Sequence, residues 1–180
     1  MKRVYKGFTL IELLVVIAII GLLSTLAVVA LNSARQRSRD AKRVADIRQI
    51  QTALELGFSE VSSYPPVNSA TTLGTGDAVR LCQSSATVQS WTNAAGSTAT
   101  APGAACSSTG TTYMGLVPAN PTPNGAAYVY TSLNSDASAC TAAAGCSRYR
   151  ITFNLEGQTG SLGSGNNCAN PSGITAGTGC

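Results

Sequence analysis

Three patterns of apolar and polar residues follow one another along the chain. From Phe8 to Leu31 the sequence is apolar almost throughout, and LLVVIAIIGLL between residues 13 and 23 is its densest part. As a helix this stretch would measure about 36 Å, enough to cross the hydrocarbon core of a bilayer. From Leu31 the pattern changes without a break. Ala34, Ala41, Val44, Ile47, Ile50, Leu54, Phe58 and Val61 recur at spacings of three, four and seven, which marks one helical face. Arg35, Arg39, Lys42, Asp46, Gln49 and Thr52 occupy much of the remainder. The pairs Lys42–Asp46 and Asp40–Arg43 have the spacing to add a few tenths of a kcal/mol each on a helix surface. Gly21, with Ser24 and Thr25 one turn on, either permits close helix approach or is a tolerated glycine. No proline occurs before Pro65. The pattern therefore predicts one helix from Phe8 to Glu60, about 80 Å long. Its first half faces lipid or other helices, and its second half lays an apolar stripe on a globular head. Ser62-Ser63-Tyr64-Pro65-Pro66 ends it, because proline disfavours helix in the residue before it. Tyr64 is expected to pack on the head.

The third pattern is strand-like and comes late. Tyr149, Ile151, Phe153 and Leu155 alternate with Arg150, Thr152 and Asn154, so Arg148–Leu155 predicts a half-buried strand. Ala127–Leu133 predicts a second, with Tyr128 and Tyr130 on one face, and Gly160–Leu162 a short third. Glu156-Gly157 starts a turn. Residues 67–125 are rich in Ser, Thr, Ala and Gly and read as a long irregular region with short strands. The tail from Gly163 reads as loop. The expected fold class is α+β: a long N-terminal helix, half transmembrane and half packed on the head, with a small antiparallel sheet in that head.

Charge and cysteine sharpen this picture. The formal net charge is +4, but Lys2, Arg3 and Lys6 supply three of those charges. Residues 61–180 balance Arg80, Arg148 and Arg150 against Asp77, Asp136 and Glu156, so that part has no basic footprint for nucleic acid. All six cysteines, Cys82, Cys106, Cys140, Cys146, Cys168 and Cys180, lie there too. An even number placed after a membrane-targeting segment reads as disulfides in an oxidising compartment. The alternative is free buried thiols or a metal site; of these a zinc site is disfavoured because the chain has no His and no C-x-x-C pair. Sequence alone selects no connectivity; the pairing that closes the shortest loops is Cys82–Cys106, Cys140–Cys146 and Cys168–Cys180. Arg35, Arg37, Arg39, Lys42, Arg43 and Arg48 follow the apolar run, and a bare count of basic residues would put the head in the cytoplasm. The cysteines argue for the opposite side.

No catalytic constellation stands out. Without His, acid–base chemistry would fall to Asp77, Asp136, Glu156 or a cysteine, none with a suggestive neighbour in sequence. Three scattered acids give weak support to a hard-cation site. The chain reads as neither enzyme nor cofactor protein.

One residue departs from the apolar run. Glu12 is a carboxylate inside it, and a buried unpaired charge costs several kcal/mol, so it is a functional candidate by default. The plainer account is that it lies near the interface and reaches water. KGFTLIELLVVIAIIGLL resembles the N-terminal motif of type IV prepilins and of the pseudopilins of type II secretion. The resemblance implies a basic leader ending in Gly7, cleavage before Phe8, methylation of Phe8 and an assembly role for Glu12. It covers residues 1 to about 65 well and the rest loosely. Many type IV pilins have proline where this chain has Val29. An ordinary signal peptide cut after Ala30 is the rival, set against the length of the run and Glu12 within it.

The resemblance divides the chain into a leader (1–7), a transmembrane and polymerisation helix (8–31), an amphipathic continuation (32–60) and a disulfide-containing head (61–180). It implies a subunit of a type IV pilus-like surface filament. The precursor would span the cytoplasmic membrane once, leader inside and head outside. The partners implied are further copies through the N-terminal helices, a prepilin peptidase, an assembly machinery and the membrane. A cleaved Phe8 carries an ammonium that can neutralise Glu12 of a neighbour, which would set register more than add stability. The alternatives are a major or minor pseudopilin of type II secretion, or a minor pilin acting as adhesin.

Overall fold

The computed structural model describes residues 7–76, 78–92, 106, 109–141 and 145–180. Lys2, Arg3, Lys6 and Asp77 lie outside the described residues. One helix, α1, runs Leu10–Val61. The chain divides into two compact units, one ending at Ser38 and one formed by Arg39–Cys180, and α1 contributes to both.

In the first unit every described residue from Gly7 to Arg35 is exposed. Ser24 and Thr25 turn their hydroxyls back onto the Ile20 and Leu22 carbonyls, at 2.7 and 2.8 Å, so neither presents a free polar group on the apolar surface.

In the second unit α1 buries Asp40, Arg43, Asp46, Ile47, Ile50, Ala53, Leu54, Gly57 and Val61. The stripe through 40, 43, 47, 50, 54, 57 and 61 steps by three and four, as a helix seam does. Ile47, Ile50, Leu54 and Val61 hold the expected face. Its N-terminal end does not: Ala34 and Ala41 are exposed and Val44 half-buried, and the seam runs through Asp40 and Arg43 instead. Ser62 ends the helix in the left-handed region at φ 54°, its N–H donating to the Phe58 carbonyl at 2.8 Å.

Eight strands follow. They are β1 (Thr71–Thr72), β2 (Arg80–Ser85), β3 (Val88–Thr92), β4 (Thr112–Met114), β5 (Val129–Leu133), β6 (Arg148–Leu155), β7 (Gly165–Asn170) and β8 (Gly173–Ala176). An antiparallel five-stranded sheet has the order β1-β5-β6-β7-β8, and a smaller one the order β3-β2-β4. β6 alternates as its sequence requires, burying Tyr149, Ile151, Phe153 and Leu155. Tyr128 and Tyr130 are both buried beside it. Gly160–Leu162 is not a strand; a single bridge joins Thr159 to Leu162. The third strand lies beyond, in the tail, where Asn170 Oδ1 accepts the N–H of Ser172 at 2.8 Å and of Gly173 at 3.1 Å. That Asx turn makes β7 and β8 a hairpin.

Five rings link the helix to both sheets. Phe58 stacks on Tyr64 at 4.5 Å, Tyr64 meets Tyr149 at 4.8 Å, Tyr149 lies 6.1 Å from Tyr130, and Tyr130 meets Trp91 edge-on at 5.2 Å. Tyr64 thus packs in the core, its hydroxyl 2.9 Å from the Glu55 carboxylate. Disulfides join Cys82 to Cys106, Cys140 to Cys146 and Cys168 to Cys180.

Candidate assembly segment

The apolar run begins at a built helix start. Thr9 stands immediately before α1, and Glu12 is the third helical residue. The Glu12 Oε2 atom accepts the Thr9 N–H at 2.8 Å and the Thr9 hydroxyl at 2.7 Å, while the Glu12 N–H reaches Thr9 Oγ1 at 3.3 Å. This reciprocal arrangement is a capping box, which satisfies donors that a helix start otherwise leaves open. Both of these bonds to the carboxylate fall on Oε2, and among the described residues Oε1 remains available. Gly7 and Phe8 precede the helix, and Phe8 is 93% exposed. The spacing T-x-x-E is itself a capping signature, so Thr9 was legible as a partner of Glu12.

From Leu10 to Leu31 one large apolar side chain after another is at least half-exposed, apart from Val15 at 49%. Single exposed apolar residues are ordinary, but a continuous apolar surface of this extent marks a partner surface or a membrane. By length and composition α1 is able to cross a bilayer.

Residues 2–28 carry the prokaryotic N-terminal methylation motif. Relatives of this chain include type II secretion and fimbrial proteins. It is 38% identical over 64 residues to the type II secretion system core protein G of Aeromonas hydrophila, covering 36% of this chain and 45% of that protein. It is 42% identical over 55 residues to the type IV major fimbrial protein FimA of Dichelobacter nodosus, covering 31% and 35%. A fimbrial protein of Pseudomonas aeruginosa is 34% identical over 76 residues, covering 40% and 49%. The chain thus spans less than half the length of these curated relatives. No solved structure matches it.

The methylation motif accounts for the first unit; a second polar feature organises the other. Arg39 grips Glu156 with two parallel hydrogen bonds, Nε to Oε1 at 2.7 Å and Nη2 to Oε2 at 2.6 Å. Arg43, fully buried, donates to Asp40 at 2.6 Å and to Glu156 at 2.7 Å. It also reaches Asn120 Oδ1 at 2.7 Å and the carbonyls of Pro121 and Asn124. Asp40 accepts the N–H of Glu156 at 3.0 Å and of Gly157 at 2.8 Å. Two cations face two carboxylates, and each N–H of the fully buried Arg43 finds an acceptor, as a buried charge requires. The Arg39 guanidinium, with Arg43 and Asn124, holds the Glu156 carboxyl well below the usual carboxylate range.

This cluster corrects the surface-pair reading. Asp40–Arg43 is not a solvated pair worth a few tenths of a kcal/mol; it lies in the head's interior. Asp46 does not pair with Lys42 but turns inward, accepting the Tyr128 hydroxyl at 3.0 Å. Burial raises its carboxyl above the ordinary value. Asp136 sits in an exposed turn and accepts the N–H and hydroxyl of Ser138. Among the described residues no group of three or more His, Cys, Asp or Glu is placed to hold a metal.

Proposed function

We propose that this chain is a structural subunit of a type IV pilus-like surface filament. In this reading residues 1–7 are a leader removed by a prepilin peptidase, Phe8 is methylated, and 8–31 anchor the precursor in the cytoplasmic membrane with the disulfide-bonded unit outside. The same residues then form the filament's helical interior, and the chain catalyses nothing. The observation that carries it is the union of Gly7-Phe8, a capped Glu12 and a helical stretch whose apolar side chains are exposed among the described residues. A surface of that kind is stable in lipid or against copies of itself. The free Oε1 of Glu12 supports pairing with the Phe8 ammonium of a neighbour, since one oxygen can cap its own helix while the other accepts from outside. A pseudopilin of type II secretion is the second reading. Type II core protein G relatives favour it, because they align over a stretch of similar length at comparable identity.

N-terminal mass spectrometry of the mature protein tests the processing. The expected first residue is a methylated Phe8; a chain starting at Leu31 would overturn the reading. Sheared surface material separates the two variants: a pilus subunit dominates it, and a pseudopilin is absent from it.

A further inference from the structure

The basic residues after the apolar run do not share one role. Arg39 and Arg43 are engaged by Asp40 and Glu156. Arg35 and Arg37 are exposed, and among the described residues neither has a carboxylate within ion-pair reach. They follow Leu31 by four and six residues on the same helix, all within the first unit.

We propose that Arg35 and Arg37 form a collar that binds the phosphates of anionic phospholipids in the leaflet facing the disulfide-bonded unit. This rests on residues 8–31 spanning the membrane. Four and six residues of helix place the two Cα atoms about 6 and 9 Å beyond the apolar run. The headgroup layer on each side of the hydrocarbon is about 5–7 Å deep. Side chains on a helix lean toward its N-terminus, here toward the bilayer, so both guanidinium groups reach back to phosphate level. Two residues of helix rotate the chain by about 200°, which sets the arginines on opposite flanks. Lipid surrounds a spanning helix on all sides and can meet both. A nucleic acid or acidic peptide would need its cations along one face.

The collar also answers part of the conflict between basic count and cysteine placement, for two of the six basic residues. These cations lie outside the membrane and neutralise lipid there instead of setting orientation.

The test reconstitutes the full chain in vesicles of equal phosphatidylglycerol and phosphatidylethanolamine. Retained lipids are then counted by native mass spectrometry after gentle solubilisation. The leader's own cations give a background common to all variants. Wild type is expected to favour phosphatidylglycerol by about fivefold per arginine above that background. R35Q/R37Q should fall to background, and R35K/R37K should keep the preference. Equal retention in wild type and R35Q/R37Q would overturn the collar alone. Extraction of wild type by alkaline carbonate would overturn the spanning reading and the collar with it.

Discussion

Gly57 of α1 and Gln89 of β3 compete for one volume. A Cβ built on Gly57 would stand 2.3 Å from the Gln89 carboxamide. Gln89 cannot step aside freely, because it is fully buried and its amide donates to the Leu54 carbonyl at 3.3 Å and the Ser63 carbonyl at 2.8 Å. The missing side chain lets the small sheet dock against the last turns of the helix.

Gly57→Ala should therefore destabilise the protein by about 2 kcal/mol, the overpacking cost exceeding the roughly 1 kcal/mol of helix propensity that alanine adds. Urea unfolding of the disulfide-intact protein measures it. Gly57→Ala combined with Gln89→Ala should recover part of the loss, and a single variant more stable than wild type would contradict the contact.

Glu156 makes a pH-dependent contribution whose sign follows from its partners. Its folded-state carboxyl titrates below the value of about 4.3 expected in an unfolded chain. Stability from this group is complete above that value and is lost as pH falls through the folded one. Glu156→Gln should cost about 3 kcal/mol at pH 7, because it leaves two arginines short of a partner. It should also flatten the decline in urea midpoint between pH 5 and 3. An unchanged slope would show that other carboxylates govern the acid limb.

Capping and charge pairing are separable at Glu12. Glutamine can still complete a capping box but carries no charge, whereas alanine removes both, at a helix cost of about 1 kcal/mol. Both variants should be cleaved after Gly7 within about twofold of wild type. If the charge pairs with a neighbour's ammonium, Glu12→Gln and Glu12→Ala should both lose filaments, since an unpaired buried charge costs a few kcal/mol per subunit. Fibres from Glu12→Gln but not from Glu12→Ala would mean that the cap matters and the pairing does not. Electron microscopy of surface filaments with a cleavage mobility assay reads both steps.

What sequence discloses here depends on whether a residue's chemistry agrees with its surroundings. β6 was legible because Tyr149, Ile151, Phe153 and Leu155 are apolar where the strand turns inward. β7 was not, because its buried residues include Asn167, whose amide donates to the Gly163 and Gly165 carbonyls at 2.9 Å. β3 hides for the same reason: Gln89, Ser90 and Thr92 are interior residues with polar side chains. The helix seam was readable from Ile47 to Val61 and misread at Asp40 and Arg43. Their charges indicate surface until Glu156, more than a hundred residues later, arrives as a partner. Thr9 was readable by spacing, but the apolar run draws attention to Glu12 as a membrane carboxylate and away from its local bond.

The disulfides have a consequence for biogenesis. Each joins a cysteine to the next one along the chain, at separations of 24, 6 and 12 residues. A head that crosses into an oxidising space in chain order, behind a leader that stays on the other side, would present Cys82 and Cys106 before Cys140 exists there, and so on for each pair. Oxidation in order of arrival therefore yields the native set, and no wrong bridge has to be undone. A dithiol oxidase alone should suffice for maturation. Cells lacking a disulfide isomerase are expected to accumulate this protein at wild-type levels, whereas cells lacking the oxidase should not.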